Sequence, residues 1–292
     1  MNNSQLIDAP SATFRALFLD IDGTLVSKHD HVAPSVRRAV QSAREAGCEV
    51  VLCTGRTRHR TYTIAEQLGS PAGYAITSNG GVLANLDTHE ILYRHLLPVE
   101  VALEVIRTVR EAGADPFVYE DSDSLHTEGA RVLYHPDTIV SHYILNDPRY
   151  RPYAGLLNTL PFCPVSISAY GHPNKIRPIA ERLRVKLADS VSVIESGTEF
   201  DWGVEFYVPG VSKQLGAATL MARLGLKQEE AMAVGDHHND LELLAWAGCG
   251  VAMGNAQPEV LAIADWITAS VHDHGVAKAI ERFILRQQEL GV

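Results

Sequence analysis

The chain has 292 residues, 46% hydrophobic and 21% charged, with a formal net charge of −10. That length suits one or two domains burying roughly three quarters of the unfolded surface, and the acidic balance without a Lys/Arg tract argues against a nucleic-acid or anionic-membrane partner. No stretch approaches the ~18 apolar residues of a membrane span.

The four cysteines, Cys48, Cys53, Cys163 and Cys249, form no CxxC pair and read as reduced core thiols of a cytoplasmic protein. Residues 1–13 are polar, lack a basic start and an apolar stretch, and read as a tail instead of a signal peptide. Ala16-Leu17-Phe18-Leu19 then reads as a buried strand of a parallel sheet, running into Asp20-Ile21-Asp22-Gly23-Thr24. Pro34 to Gly47 predicts a helix, with Pro near its start and Gly at its end. Glu49 to Cys53 is a second strand, ending at Thr54-Gly55-Arg56, and Arg58 to Leu68 is helical. Tyr74 to Ser78 is a third strand, ending at Asn79-Gly80-Gly81, after which residues 82–84 and 91–93 suggest a hairpin.

From Leu97 to Val208 the pattern changes. A helix over 99–112 precedes a short strand at 117–119, and half-buried strands at 165–169 and 191–194 flank a helix over 173–187. Residues 202–208 add a further strand, while 131–164 is rich in Tyr, His and Pro and less regular, its stretch 131–153 reading as surface or core of the inserted domain and not as a recognition patch. This predicts an α+β domain, 97–208, inserted between 1–96 and 209–292. The βα alternation then returns: helix 212–224, strand 231–234, the loop Gly235-Asp236-His237-His238-Asn239-Asp240, helix 241–246, the run 250–253, and helices at 258–264 and 275–289.

Four apolar runs thus end in polar signatures, at Asp20/Asp22, Thr54, Asn79 and Asp236/Asp240. If these strands are parallel neighbours, the signatures meet at the carboxyl edge, where open α/β sheets bind ligands. Paired carboxylates there can hold a divalent cation, or divide nucleophilic attack from proton transfer, which suits phosphoryl transfer. A calcium loop would need DxDxDG, and Gly23 comes too early. A glycosyltransferase DxD explains neither Lys213 nor Asp236. Lys213 falls in the first turn of its predicted helix, where the dipole disfavours a cation, so a nearby anion is the better explanation.

Asp20-Ile21-Asp22-Gly23-Thr24, Cys53-Thr54-Gly55-Arg56, Gly210-Val211-Ser212-Lys213 and Gly235-Asp236 through Asn239-Asp240 resemble, in order, the four motifs of the haloacid dehalogenase superfamily. Val251-Ala252-Met253-Gly254-Asn255-Ala256 and Gly275-Val276-Ala277-Lys278 are similar to its Cof-type phosphatases with a type IIB cap. The resemblance covers the chain from Arg15 onward and implies a Rossmann-like parallel-sheet core with an inserted α+β cap. It implies that Asp20 attacks phosphorus to form an aspartyl-phosphate, and that Asp22 protonates the leaving alcohol and then activates water. It also implies Mg²⁺ held by the Asp20 carboxylate, the Asp22 main-chain carbonyl and Asp236, with Asn239 and Asp240 orienting that site. Thr54 would hydrogen-bond a phosphoryl oxygen and Lys213 would pair with Asp20 and the phosphate, with Gly55, Arg56 and Asn79 completing the phosphate and substrate contacts.

His237 and His238 occupy variable positions of the fourth motif and read as surface or supporting groups, since hard oxygen ligands favour Mg²⁺ over zinc. The chain departs from its relatives at Gln214, where Gly is common, and at His274, where Asp is frequent. The implied activity is hydrolysis of a small phosphorylated metabolite, such as a sugar phosphate. A phosphomutase of the same superfamily and a non-catalytic binding protein are the alternatives.

Overall fold

The computed structural model describes residues 13–27, 30–69, 73–121, 131–138, 147–197 and 202–286. Nearly all of the predicted tail, and the end of the last predicted helix at 287–289, lie outside the described residues. The chain divides into two compact units, Met1–Leu92 with Ser212–Val292, and Tyr93–Val211.

In the first unit, β1 (Ala16–Leu19) is buried along its whole length. It pairs in parallel with β2 (Glu49–Cys53) on one side and β12 (Ala231–Gly235) on the other. A central strand covered on both faces has no solvent side, which is why its sequence runs apolar without alternation. β3 (Tyr74–Thr77) extends the parallel set beyond β2, and β13 (Cys249–Ala252) and β14 (Trp266–Ile267) extend it beyond β12. β4 (Val82–Asn85) pairs antiparallel with β3 and β5 (Ile91–Arg94) forms the edge, giving the order β14-β13-β12-β1-β2-β3-β4-β5. Ala16 faces Ala231 across β1 and β12, so Asp20 and Asp236 emerge from neighbouring strands on one edge. Of the helices, α1 (Pro34–Glu45) and α2 (Arg58–Leu68) follow β1 and β2, with Val36, Val40, Ile64 and Leu68 in the core.

In the second unit, a six-stranded sheet has the order β10-β11-β9-β6-β7-β8. Its strands are β6 (Pro116–Tyr119), β7 (Val132–Tyr134), β8 (Tyr150–Pro152), β9 (Ser166–Gly171), β10 (Ser192–Gly197) and β11 (Trp202–Tyr207). Along β9 the alternation sends Ile167 and Ala169 into one core with α3 (Val99–Glu111) and α4 (Pro173–Lys186), where Ile106 and Ile176 also sit. The opposite pleat carries Ser168 and Tyr170, and on β6 Phe117, whose ring lies 6.2 Å from those of Tyr150 and Tyr170. The region read as irregular, 131–164, holds β7 and β8, which pair in parallel with Val132 opposite Tyr150. Three-residue strands are too short to display a period.

The remaining elements of the first unit are α5 (Lys213–Leu224), α6 (Leu241–Trp246), α7 (Pro258–Ile263) and α8 (Gly275–Ile280). Here too the structure corrects the expected boundaries. The third strand stops at Thr77, because Ser78–Gly80 winds into a tight turn. The last helix widens after Ile280 into a five-residue π turn, Glu281–Leu285. β14, at two residues, went unpredicted. Cys48, Cys53 and Cys249 are buried free thiols as expected, but Cys163 is exposed because it sits in a loop of the second unit. Among the described residues no helix is long and apolar enough to cross a membrane. Leu52, in the middle of β2, is fully buried, so Leu52→Ala should cost about 2–5 kcal/mol in urea denaturation, against under about 0.5 for an exposed position.

Candidate active site

Asp20 is the first residue beyond β1, and Lys213 is the first residue of α5. Ser212 caps that helix by accepting the amide N–H of Leu215 at 3.2 Å. From there the Lys213 side chain, wholly buried, places Nζ 2.6 Å from Asp20 Oδ1 and 2.7 Å from Asp240 Oδ1. Asp240 uses its other oxygen, Oδ2, to accept the amides of Asp236 and His237, each at 3.1 Å. One carboxylate therefore fixes both the lysine and the loop that carries Asp236.

Asp236 Oδ1 accepts a hydrogen bond from Thr24 Oγ1 at 3.0 Å. Asn255 Nδ2 donates to the Gly23 carbonyl at 2.9 Å and lies 3.5 Å from Asp236 Oδ2, while its Oδ1 accepts the Val271 amide at 2.8 Å. Gly23 has φ +86, and a Cβ there would fall 2.2 Å from Asp236 Oδ2. Only glycine lets the first loop close on this carboxylate. Thr24 was in view as part of its motif and Asn255 as part of a family-like run, yet neither carried a role. Their signal is that both brace the aspartate loops.

Oxygens of Asp20, Asp236 and Asp240 lie within 4.8 Å of one another, the one such acidic cluster among the described residues. The set consists of hard anionic oxygens, which fits a hard divalent cation. Asp240 accepts three hydrogen bonds from Lys213 and the Asp236 and His237 amides, whereas Asp20 accepts one from Lys213 and Asp236 one at 3.0 Å and a longer one at 3.5 Å, so the latter two are less committed to the protein. His237 and His238 are outside the cluster, and His238 Nε2 sits 3.4 Å from Glu259.

The electrostatics follow from burial. Desolvation pushes the Asp20 carboxyl well above the usual range, Asp240 and Asp236 push the same way, and Lys213 opposes them. Burial, with Asp240 adding, raises Asp236 to about 6. Burial works against a charged Lys213, but its two carboxylate partners outweigh it and hold the amine above its ordinary value. The pocket thus carries more negative charge than its one lysine neutralises. That excess is the feature a divalent cation would relieve.

Thr54 follows β2, where its Oγ1 accepts the Arg56 amide at 3.1 Å. Asn79 sits at the corner after β3, with φ 54 beside Ser78 at φ 50. Two successive non-glycine residues in the left-handed region cost energy that the surrounding contacts must offset, a pattern typical of functional corners. Asn79 N donates to Thr54 O at 3.0 Å, and Asn79 Oδ1 accepts from Asn239 Nδ2 at 2.8 Å, so the second, third and fourth signatures are joined by hydrogen bonds. Gly80, at φ +102, would place a Cβ 2.1 Å from the Ser212 carbonyl, so this corner packs directly on the start of α5. Gly55 lies against the Asn79 side chain.

Asp22 is placed differently. Its side chain is 58% exposed, and both oxygens are gripped by Arg56, with Nε to Oδ2 at 2.8 Å and Nη2 to Oδ1 at 2.6 Å. Arg56 Nη2 also donates to Asp30 Oδ1 at 2.6 Å. Asp30 carries no sequence signal, since it lies six residues beyond Thr24, the end of the motif, in a polar loop.

A parallel α/β core with an inserted α+β unit and this aspartate–lysine cluster defines a phosphotransferase-type hydrolase. The haloacid dehalogenase-like hydrolase family matches residues 17–280, and the chain belongs to that family and to its phosphatases. It is 31% identical over 250 residues to the HMP-PP phosphatase of Serratia proteamaculans, covering 85% of this chain and 86% of that one. A crystal structure of a haloacid dehalogenase-like hydrolase from Bacteroides thetaiotaomicron is similar at TM-score 0.79 and 26% identity, over 92% of this chain and 99% of that one. The subclass IIB sugar phosphatase BT4131 shares the fold at TM-score 0.76 and 23% identity, over 92% and 98% of the two chains.

Lys213→Met strands two buried carboxylates, so it should lower stability by about 3–5 kcal/mol in urea denaturation; a loss under about 1 would show that they are not coupled through it. A raised carboxyl stabilises the metal-free fold below its ordinary value of 3.8, and that contribution is lost as pH rises through about 6 at Asp236. Because a bound cation relieves this cost, Mg²⁺ should raise Tm more at about pH 7.5 than at about pH 5, and equal shifts would contradict it.

Proposed function

We propose that the protein hydrolyses small phosphomonoesters, sugar phosphates or similar metabolites, through an aspartyl-phosphate on Asp20. The observation that carries this is the buried Lys213 ammonium held between Asp20 and Asp240 beside Asp236. An anionic carboxylate attacking an anionic phosphoryl group meets repulsion, and fixed positive charge at the point of attack offsets it. Lys213 keeps the nucleophile oriented with one oxygen bound and leaves the other for attack. Mg²⁺, held by the Asp20 and Asp236 carboxylates and the Asp22 main-chain carbonyl, would supply further charge neutralisation at the phosphoryl oxygens.

In the first step the Asp20–phosphorus bond forms as the bond to the leaving oxygen breaks, and Asp22 gives that oxygen a proton. In the second, Asp22 takes a proton from water, which attacks phosphorus, releases phosphate and restores Asp20. Such proton transfer contributes typically ~10²–10⁴-fold, far short of the ~10²¹ by which the slowest phosphomonoester hydrolyses are accelerated. Positioning and electrostatics must supply the remainder, which is the work of Thr54, Gly55, Arg56, Asn79 and Lys213 on the phosphate. Asn239 and Asp240 support them by holding Asn79, Lys213 and the Asp236 loop. The unit Tyr93–Val211 acts in this reading as the cap that selects substrate and limits water.

Asp20→Asn keeps the size of the side chain but removes the attacking anion. It should lower kcat on p-nitrophenyl phosphate at least about a thousandfold, with 31P NMR showing no phosphate release. Residual turnover within tenfold of the parent would overturn the mechanism, and isomerised sugar phosphate without free phosphate would identify a mutase.

A further inference from the structure

We infer that Asp30 is a positioning residue for Asp22, acting through Arg56. The inference rests on the phosphatase reading above and assigns a role to a side chain outside all four motifs.

The Arg56 side chain is only 7% exposed, and its backbone is pinned on both sides. Its amide donates to Thr54 Oγ1 at 3.1 Å, and its carbonyl accepts the Ser78 amide at 2.8 Å. The two carboxylates it binds are far more open, at 58% exposure for Asp22 and 46% for Asp30. The Arg56 backbone is therefore anchored and its side chain covered, while the tilt of its guanidinium plane is left to the carboxylates it binds. Arg56 Nη2 is shared, 2.6 Å from Asp22 Oδ1 and 2.6 Å from Asp30 Oδ1, while Nε reaches Asp22 Oδ2 at 2.8 Å. Nη1 is buried and, among the described residues, has no hydrogen-bond partner.

A planar guanidinium with one edge on a single carboxylate can rock about that edge. A second carboxylate on the shared nitrogen fixes the plane, because its lone pair must lie close to the N–H direction. Asp30 thus sets the plane of Arg56. That plane in turn sets where the two Asp22 oxygens lie and where the unpartnered Nη1 points. A buried arginine donor without a partner is costly and suits a phosphoryl oxygen. Asp30 also keeps a carboxylate on Arg56 whenever Asp22 leaves the fork to meet a leaving-group oxygen. Without Asp30, the same movement would leave a buried cation unpaired.

The role predicts a leaving-group signature. Nitrophenolates depart with little need of a proton, whereas phenolate and alkoxide leaving groups need one. Loss of Asp22 positioning should therefore weaken turnover of phenyl phosphate much more than that of 2,4-dinitrophenyl phosphate. The test is steady-state kinetics of the full-length protein with saturating Mg²⁺ on a series of substituted phenyl phosphates. Asp30→Asn is compared with Asp30→Glu and the parent, and Tm is recorded for each. Asp30→Asn should lower kcat/KM, which reports the steps up to departure of the leaving group, about tenfold more for phenyl phosphate than for the dinitro ester, and Asp30→Glu should recover most of that difference.

Equal loss across the series, or no loss, overturns the role of Asp30 while leaving the phosphatase reading intact. A parent protein that turns over none of the series removes that reading, and this inference with it. If Asp30→Asn lowers Tm, the comparison within one variant still decides, since fewer folded molecules scale every substrate alike.

Discussion

Buried charge is tolerated in this protein only because the ends of two strands and the start of a helix share it. Lys213 reaches Asp20 across 193 residues of sequence and Asp240 across 27, with all three side chains almost wholly shielded from water. Desolvating such groups costs several kcal/mol each, and only close mutual contact returns it. The arrangement therefore requires β1 and β12 to be neighbours and α5 to begin beside them. The register of Ala16 with Ala231 meets the first requirement, and the contact of Gly80 with Ser212 meets the second. Around this group the remaining contacts have a clear order: Asp240 holds the loop of Asp236, Thr24 and Asn255 brace Asp236, and Gly23 permits the approach.

The same residues that stabilise the site leave it incomplete. One lysine faces three aspartates, and burial raises the carboxyls of Asp20 and Asp236 above their ordinary values. An isolated fold would do better with fewer acids here. A site built to accept a cation and a phosphoryl group has reason to keep them, since stability given up at a functional site is regained when ligand binds. The two left-handed residues at Ser78 and Asn79 are consistent with that reading, because strain persists only where the surroundings enforce it.

Two positive side chains divide the work differently. Lys213 is a compact ammonium, enclosed, and binds two carboxylates as a point charge. Arg56 is a planar fork that aligns both oxygens of the more exposed Asp22. Lysine in place of Arg56 could not hold both oxygens in that planar alignment. The contrast matches the proposed roles, in which Asp20 needs a shielded charge beside it and Asp22 needs orientation together with freedom to move.

Much of this was legible in the chain. Strands buried on both faces write themselves as unbroken apolar runs, so β1, β2, β3 and β12 and their terminal signatures could be read directly, and the order of those signatures pointed to the family. Lys213 could be singled out because a cation opposes the start of its helix. What escaped was either too short to show a period, as in β7, β8 and β14, or dependent on contacts between distant segments. Thr24, Asn255 and Asp30 gain meaning only from the partners that folding brings to them. Sequence determined the residue types and the strand ends, because local periodicity and motif chemistry are properties of neighbouring positions. Tertiary structure alone decided that Lys213 also binds Asp240 and that Arg56 grips Asp22 together with Asp30, because hydrogen bonding and desolvation depend on distances that the linear order does not contain.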